Sequence, residues 1–103
     1  MSWKRISGAE RVTPGTMSQL PTEDGEEVLV LNAGGEYFAC QPYCPHLETP
    51  LEEGMFDGRT LMCHQHFWQW DVTTGNPQGP AESPLQCFRI KRENGTLYVW
   101  RDD

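Results

Sequence analysis

The sequence predicts an all-β protein, and three observations lead to that expectation. The 10 glycines and 8 prolines among 103 residues exceed the usage of a helix-rich chain. No stretch carries apolar residues at helical spacing through three turns. Short apolar runs recur instead, with turn-forming residues between nearly all of them. The length suits one domain, residues 1–103, with a modest core.

Seven strands are predicted along the chain. They cover residues 3–6, 17–20, 28–31, 37–40, 67–71, 87–91 and 96–100. In the last of them Leu97 and Val99 alternate with Tyr98 and Trp100. Each strand is therefore expected to have two different faces, as in a small barrel or sandwich.

Two antiparallel hairpins are expected, one before and one after the middle of the chain. The sequence Asn32-Ala33-Gly34-Gly35 joins the third predicted strand to the fourth. Asn94-Gly95 joins the last two strands, and this dipeptide favours a tight primed turn because both turn positions need positive φ.

The middle of the chain, residues 40–84, differs from the rest. It holds all 3 histidines and is crowded with Cys, Pro and Trp. Functional groups are commonly carried on loops that a rigid scaffold positions. This segment is therefore predicted to be a binding subdomain inserted between the scaffold hairpins.

Charge and hydropathy exclude several classes of partner. The net charge is −7, with 8 Lys plus Arg against 15 Asp plus Glu and no basic cluster, so nucleic acid and anionic membranes are not expected partners. An acidic surface keeps a protein soluble and also suits brief docking on a basic patch. No apolar run has the length of a secretory core or a membrane span, so a cytoplasmic protein is expected. Cysteines in that compartment tend to be ligands or core residues rather than disulfides.

Two short motifs point to a metal centre. Cys44-Pro45-His46 is followed after 16 residues by Cys63-His64-Gln65-His66, so each arm offers one thiolate and one imidazole. A binuclear iron–sulfur cluster with two Cys on one iron and two His on the other needs ligands in this mixed order. Cys44 and Cys63 are predicted to bind the inner iron, and His46 and His66 the outer iron.

A structural Cys2His2 zinc site, within a zinc-stabilised interaction module, is the alternative. Zinc-finger spacing usually puts two Cys on one arm and two His on the other, whereas here the order alternates. His64 lies between the second-arm ligands and is predicted to be a solvated neighbour or a partner contact rather than a ligand.

The two motifs, with Trp68, Trp70-Asp71 and Thr74-Gly75 after the second, resemble the Rieske [2Fe–2S] ferredoxins of bacterial multicomponent aromatic-ring oxygenases. Gly79-Pro80-Ala81 resembles the proline-containing loop that covers the cluster in that family. The resemblance implies the Rieske fold, which is made of stacked antiparallel sheets and a cluster-binding subdomain of two opposed loops.

The resemblance also implies a function. It predicts a monomeric electron carrier, not an enzyme, that passes single electrons from a flavin-dependent NAD(P)H reductase to a terminal oxygenase in aromatic hydrocarbon catabolism. The residues around Trp68 and Trp70 resemble most those in ferredoxins of toluene-type diiron monooxygenases. The Rieske domain of a catalytic subunit is a further alternative, but 103 residues leave no room for a mononuclear iron domain.

The chain departs from the respiratory branch of the family. Thr49 and Gln65 stand where that branch has two disulfide-forming cysteines, and Trp68 and Trp70 stand where it has Ser and Tyr hydroxyls that donate to the cluster. Without those donors the reduction potential is expected toward the negative end of the Rieske range of about −150 to +300 mV.

Three further groups of residues are candidates for secondary roles. Cys40 and Cys87 are predicted to be buried small hydrophobes, with a redox-sensing disulfide as the alternative. Trp68 and Trp70 are predicted to serve core packing, cluster shielding or both. An apolar collar for docking is expected at Tyr43, Pro45, Leu47 and Pro80. Acidic residues that serve either electrostatic steering or loop solvation are expected at Glu48, Glu52, Glu53 and Asp57.

Overall fold

A computed structural model of the protein describes residues 2–45, 49–64, 67–79 and 81–101. Eleven strands are present in these ranges, together with two single turns of 3-10 helix at Ala9–Arg11 and Leu51–Glu53. The strands are β1 (Ser2–Arg5), β2 (Met17–Pro21), β3 (Glu27–Ala33), β4 (Glu36–Cys40), β5 (Met55–Phe56), β6 (Thr60–Met62), β7 (Gln69–Asp71), β8 (Pro77–Gln78), β9 (Cys87–Phe88), β10 (Ile90–Glu93) and β11 (Thr96–Arg101).

The strands form three antiparallel sheets, which confirms the all-β expectation. A three-stranded sheet has the order β1-β11-β10, and a four-stranded sheet has the order β2-β3-β4-β9. The third sheet, β5-β6-β7-β8, lies wholly within the segment expected to carry the metal site. We refer to the first two sheets as the scaffold sheets and to the third as the metal-site sheet.

Strand β3 separates two hydrophobic cores. Val28 and Val30 pack into the core shared by the scaffold sheets, whereas Leu29 and Leu31 pack into the core beneath the metal-site sheet. All four side chains are fully buried because successive residues of a strand point to opposite faces. One strand therefore joins the scaffold to the metal-site segment.

Both predicted hairpins are present. In the β3–β4 hairpin Gly34 and Gly35 occupy the turn with φ of 67° and 104°. In the β10–β11 hairpin Asn94 and Gly95 have φ of 51° and 79°. Positive φ at both positions is the geometry of a primed turn, whose twist matches that of the flanking strands.

Two of the predicted strands were wrong in their bounds, and three observed strands were missed. The predicted strand at 67–71 begins only at Gln69, because Phe67 has a φ of 60° and lies in a loop. The predicted strand at 87–91 is two strands in different sheets, β9 and β10, separated at Arg89. Strands β5, β6 and β8 were not predicted at all, since two or three residues are too few for an alternating pattern.

Within the described ranges no helix has the length and apolar character needed to cross a membrane.

Candidate metal centre

Two loops of the same length carry the predicted cysteine ligands. The backbone N–H of Cys44 donates to the carbonyl of Thr49 at 2.9 Å, and that of Cys63 donates to the carbonyl of Trp68 at 2.8 Å. In both loops the acceptor lies five positions after the cysteine. We call the two loops, residues 44–49 and 63–68, the ligand loops. Each loop begins with a cysteine and is closed by this backbone hydrogen bond, which fixes the position of the cysteine backbone.

Both cysteines are buried in one hydrophobic core. Cys44 and Cys63 are each 1% exposed and lie in the core that also contains Leu51, Trp68 and Trp70. The structure therefore brings together the two thiols that the sequence assigns to the inner iron. Thiolates in a water-poor environment suit an iron–sulfur cluster, so these residues fit that cofactor.

The predicted ligands His46 and His66 lie outside the described residues, as do Leu47, Glu48 and Pro80. By sequence His46 and His66 fall inside the two ligand loops. Across the part of the chain that is described, no group of three or more His, Cys, Asp or Glu side chains is gathered as a metal site.

Each ligand loop is anchored by its neighbours. Before and after the first loop, Tyr43 pairs with Pro50 in an isolated β-bridge, and the N–H of Leu51 donates to the carbonyl of Pro42 at 2.9 Å. In the second loop the N–H of Phe67 donates to the carbonyl of Cys63 at 2.9 Å. These bonds hold the base of each loop against the buried core.

Trp68 and Trp70 lie in the same core as Cys44 and Cys63. Their rings meet edge to face with centroids 6.2 Å apart, and both are buried. The indole Nε1–H of Trp70 donates to the carbonyl of Ser83 at 2.9 Å, and Ala81 packs against the same core. The pair therefore packs the core, as expected, and the shielding of a cluster stays a prediction.

Asp71 builds the turn that follows the second ligand loop. Its Oδ1 accepts hydrogen bonds from the hydroxyl and the N–H of Thr73, at 2.6 and 2.9 Å, and its Oδ2 accepts one from Arg59 Nε at 3.1 Å. The Thr73 bonds, with a smaller contribution from Arg59, lower the pKa of the Asp71 carboxyl. Gly75 closes the same turn by donating its N–H to the carbonyl of Asp71 at 2.7 Å.

Large apolar side chains are exposed beside both ligand loops. Tyr43, directly before the first loop, is 42% exposed, and Phe67, within the second, is 61% exposed. Pro45 is also exposed. The sequence indicated Tyr43 and Pro45 but missed Phe67, which was assigned to a strand. Its position next to a predicted ligand was the signal that could have identified it.

Two of the acidic residues considered for steering have structural hydrogen bonds. The N–H of Gln19 on β2 donates to Glu52 Oε2 at 2.9 Å. The N–H groups of Thr60 and Arg59 donate to Asp57 Oδ1 at 2.7 and 3.0 Å and lower the pKa of that carboxyl. Glu53 is exposed, as are Glu52 and Asp57.

The fold and the ligand loops define a small β-protein with two loops that each begin with a buried cysteine. A family model described as the Rieske [2Fe–2S] domain matches residues 2–89. The ferredoxin subunit of methanesulfonate monooxygenase from Methylosulfonomonas methylovora is 35% identical over 101 residues, which cover 97% of this chain and 81% of that protein. The ferredoxin component of biphenyl 2,3-dioxygenase from Rhodococcus jostii (strain RHA1) is 36% identical, and the match covers 96% of this chain and 92% of that protein.

Solved structures show the same similarity. The matching chain in the complex of reduced oxygenase and oxidised ferredoxin of carbazole 1,9a-dioxygenase has a TM-score of 0.83 and 28% identity, covering 94% of this chain and 91% of that one. The ferredoxin of Sphingomonas yanoikuyae B1 shares the fold, with a TM-score of 0.85 at 24% identity, covering 95% of this chain and 97% of that one.

This chain belongs to the Rieske [2Fe–2S] domain family. Its cofactor is a Rieske-type [2Fe–2S] cluster, and the chain is an electron-transfer component rather than a catalytic subunit. The prediction of a Rieske ferredoxin is thereby confirmed, and the alternative of a structural zinc site loses its support.

Proposed function

We propose that this protein carries single electrons from a flavin-dependent NAD(P)H reductase to a terminal oxygenase through a cluster bound by Cys44, His46, Cys63 and His66. The observation that carries the ligand assignment is the pair of ligand loops of equal length, each beginning with a buried cysteine. The partner assignment is supported by relatives that are ferredoxin components of both monooxygenase and dioxygenase systems.

The residues of this chain divide the work around the cluster. When bound, a Rieske cluster accepts and releases one electron at a time. Cys44 and Cys63 supply thiolate ligands from inside the protein, and Trp68 and Trp70 keep water away from that side. His46 and His66, the remaining ligands, would form the solvent-facing side through which electrons enter and leave.

Tyr43, Pro45 and Phe67 form the apolar part of the docking surface in this proposal. They are exposed and adjacent in sequence to the proposed ligands, so a partner that covers them would also approach the cluster. Apolar and aromatic side chains are typical of the centre of a protein interface. Within the described ranges this apolar set is small, which suits a brief encounter rather than a permanent complex.

Finer statements on oligomeric state, compartment, oxygenase and substrate belong to the same proposal. The protein acts as a monomer in the cytoplasm, where NAD(P)H supplies the electrons. Its oxygenase is of the toluene-type diiron monooxygenase class, an assignment supported by the residues around Trp68 and Trp70. The substrate of that oxygenase is an aromatic compound or an alkene.

A ligand substitution tests the cluster assignment. Purified wild type should contain about two irons and two sulfides per chain. His66→Cys should change the visible spectrum and lower the reduction potential, or lose the cluster, because a thiolate adds negative charge to it. His64→Ala is the matched control and should keep both properties. An unchanged spectrum in His66→Cys would mean that another residue is the ligand.

Rapid mixing tests the carrier role. The protein reduced by NAD(P)H and its reductase should be reoxidised by the oxygenase with substrate and dioxygen present. Phe67→Ser should slow this reoxidation while the spectrum of the cluster stays the same, since Phe67 is proposed to contact the partner only. Equal rates for Phe67→Ser and wild type would remove Phe67 from the docking surface.

A further inference from the structure

Cys40 and Cys87 lie directly opposite each other on β4 and β9. In the next pair along these strands the N–H of Gln41 donates to the carbonyl of Gln86 at 2.9 Å, so that pair is of the hydrogen-bonded kind. The two kinds of pair alternate in an antiparallel ladder, which makes Cys40 and Cys87 a non-hydrogen-bonded pair.

The pairing geometry is compatible with a disulfide bond. Residues of a non-hydrogen-bonded pair have Cα atoms about 4.5 Å apart and side chains on the same face of the sheet. Disulfides span Cα separations of about 4.4–6.8 Å. The register of β4 and β9 therefore allows a bond between the two sulfur atoms without displacing either strand.

The two thiols differ in accessibility. Cys40 is 1% exposed, whereas Cys87 is exposed, contrary to the expectation that both are buried. Burial raises the pKa of both thiols, further for Cys40, where the neighbouring Cys87 adds a smaller effect. A reagent in solution therefore reacts with Cys87 first. Cys40 reacts only with a group that is already bound to Cys87.

The pair lies at the base of the metal-site segment. Strand β4 ends at Cys40, after which the chain enters the ligand loops, and β9 begins at Cys87, where the chain returns to the scaffold. The Sγ of Cys87 lies 4.0 Å from the carbonyl oxygen of Val72, which directly follows β7 of the metal-site sheet. A bond between Cys40 and Cys87 would close the whole metal-site segment into a loop.

We propose that Cys40 and Cys87 form a reversible disulfide by exchange with a low-molecular-weight disulfide such as oxidised glutathione. The Cys87 thiolate attacks one sulfur of oxidised glutathione, which forms a mixed disulfide and releases one glutathione thiolate. Cys40 gives up its proton, which the released glutathione thiolate takes, and then attacks the Cys87 sulfur and releases the second glutathione. Two protein thiols are oxidised and one glutathione disulfide is reduced, so no other oxidant is needed. This proposal does not rest on the identity of the oxygenase or the reductase.

Mass spectrometry of the intact holoprotein tests the proposal. After incubation with oxidised glutathione and alkylation of remaining thiols, the wild type should carry two fewer alkyl groups than a reduced sample alkylated in the same way, and no glutathione. A peptide map should show these two cysteines joined. The visible spectrum, followed in the same sample, should stay unchanged, which excludes oxidation of released Cys44 and Cys63.

Single variants separate the two steps. Cys40→Ala should retain glutathione on Cys87, with at least tenfold more adduct than the wild type, because the resolving thiol is gone. Cys87→Ala should take up no glutathione at Cys40, because that thiol is buried. A lasting glutathione adduct on Cys87 in the wild type, or no reaction at Cys87, would overturn the proposal. This test uses the wild type alone and stays decisive even if a variant fails to fold.

Discussion

The indole of Trp70 shows how a single side chain at this site bears on redox chemistry. Its Nε1–H donates to the carbonyl of Ser83, so that N–H is committed to the backbone of the segment that follows Pro80. The hydroxyl donors of the respiratory branch are replaced here by Trp68 and Trp70. Donors to the cluster sulfurs stabilise the reduced form and raise the potential.

The reduction potential should therefore lie toward the negative end of the Rieske range. We expect a midpoint below about +100 mV, and well above the value of about −400 mV of plant-type ferredoxins, because neutral imidazoles replace two thiolates. A redox titration followed by the visible spectrum measures it. A midpoint above about +100 mV would show that other donors replace the missing hydroxyls.

Asp71 should make stability depend on pH in the acid range. Its pKa is lowered in the folded state, so its contribution is present above the unfolded pKa of about 3.9 and is lost as pH falls through the folded value. Asp71→Asn should melt at a lower temperature than the wild type at neutral pH, and the difference should shrink below about pH 4. Thermal unfolding, followed by circular dichroism at pH values from about 3 to about 7, measures this difference in melting temperature on both sides of the ordinary carboxyl pKa. A difference that stays constant across this range would contradict the role of the carboxylate.

Some residue roles were visible in the sequence and others were not. The proposed ligand role of Cys44 and Cys63 could be predicted from the motifs because ligand spacing is local. The role of Glu52 does not, since its hydrogen bond joins it to Gln19, 33 positions away. The exposure of Cys87 was missed for a similar reason, because burial depends on which strands cover a position.

At the scale of elements, turn chemistry predicted the hairpins better than apolar patterns predicted the strands. Asn94-Gly95 dictates a turn by its own backbone preferences, so the β10–β11 hairpin was predictable. The strands of the metal-site sheet are two or three residues long and show no period. Their positions depend on turns such as the one that Asp71 and Gly75 build.

Gly75 should be intolerant of any side chain. It has a φ of +78°, and a Cβ added there would lie 2.6 Å from the carbonyl oxygen of Leu85 and 3.1 Å from Cys87 Sγ. Gly25 has a similar φ of +87° and nothing within 4 Å, so Gly25→Ala is the matched control. Gly25→Ala should cost about 1–2 kcal/mol of unfolding free energy through backbone strain. Gly75→Ala should cost a further ~1–3 kcal/mol through overpacking.

Urea unfolding under anaerobic conditions, followed by circular dichroism, compares the two glycine variants. Equal losses would mean that strain alone acts and that the backbone of Leu85 moves away at no cost. A larger loss for Gly75→Ala would show that the return of the chain to β9 is tightly packed against the turn between β7 and β8.

At the scale of the whole molecule, the charge is unevenly distributed along the chain. Residues 40–84 carry 6 acidic side chains against 1 basic, which is a net charge of −5 out of the chain total of −7. The scaffold carries 7 of the 8 basic residues. The metal-site end is therefore the more acidic one, and a basic docking site on a partner would orient the protein with that end foremost.

Reversal of one charge at each end tests this orientation. Glu53→Lys, near the ligand loops, should slow reoxidation of the reduced protein by the oxygenase severalfold at low ionic strength, because it weakens attraction at the docking end. Glu10→Lys makes the same charge change on the scaffold, within Ala9–Arg11, and should slow it much less. At about 1 M salt, where the Debye length is about 3 Å, the two variants and the wild type should converge. Equal slowing by both reversals would show that total charge matters and that the acidic end does not steer the encounter.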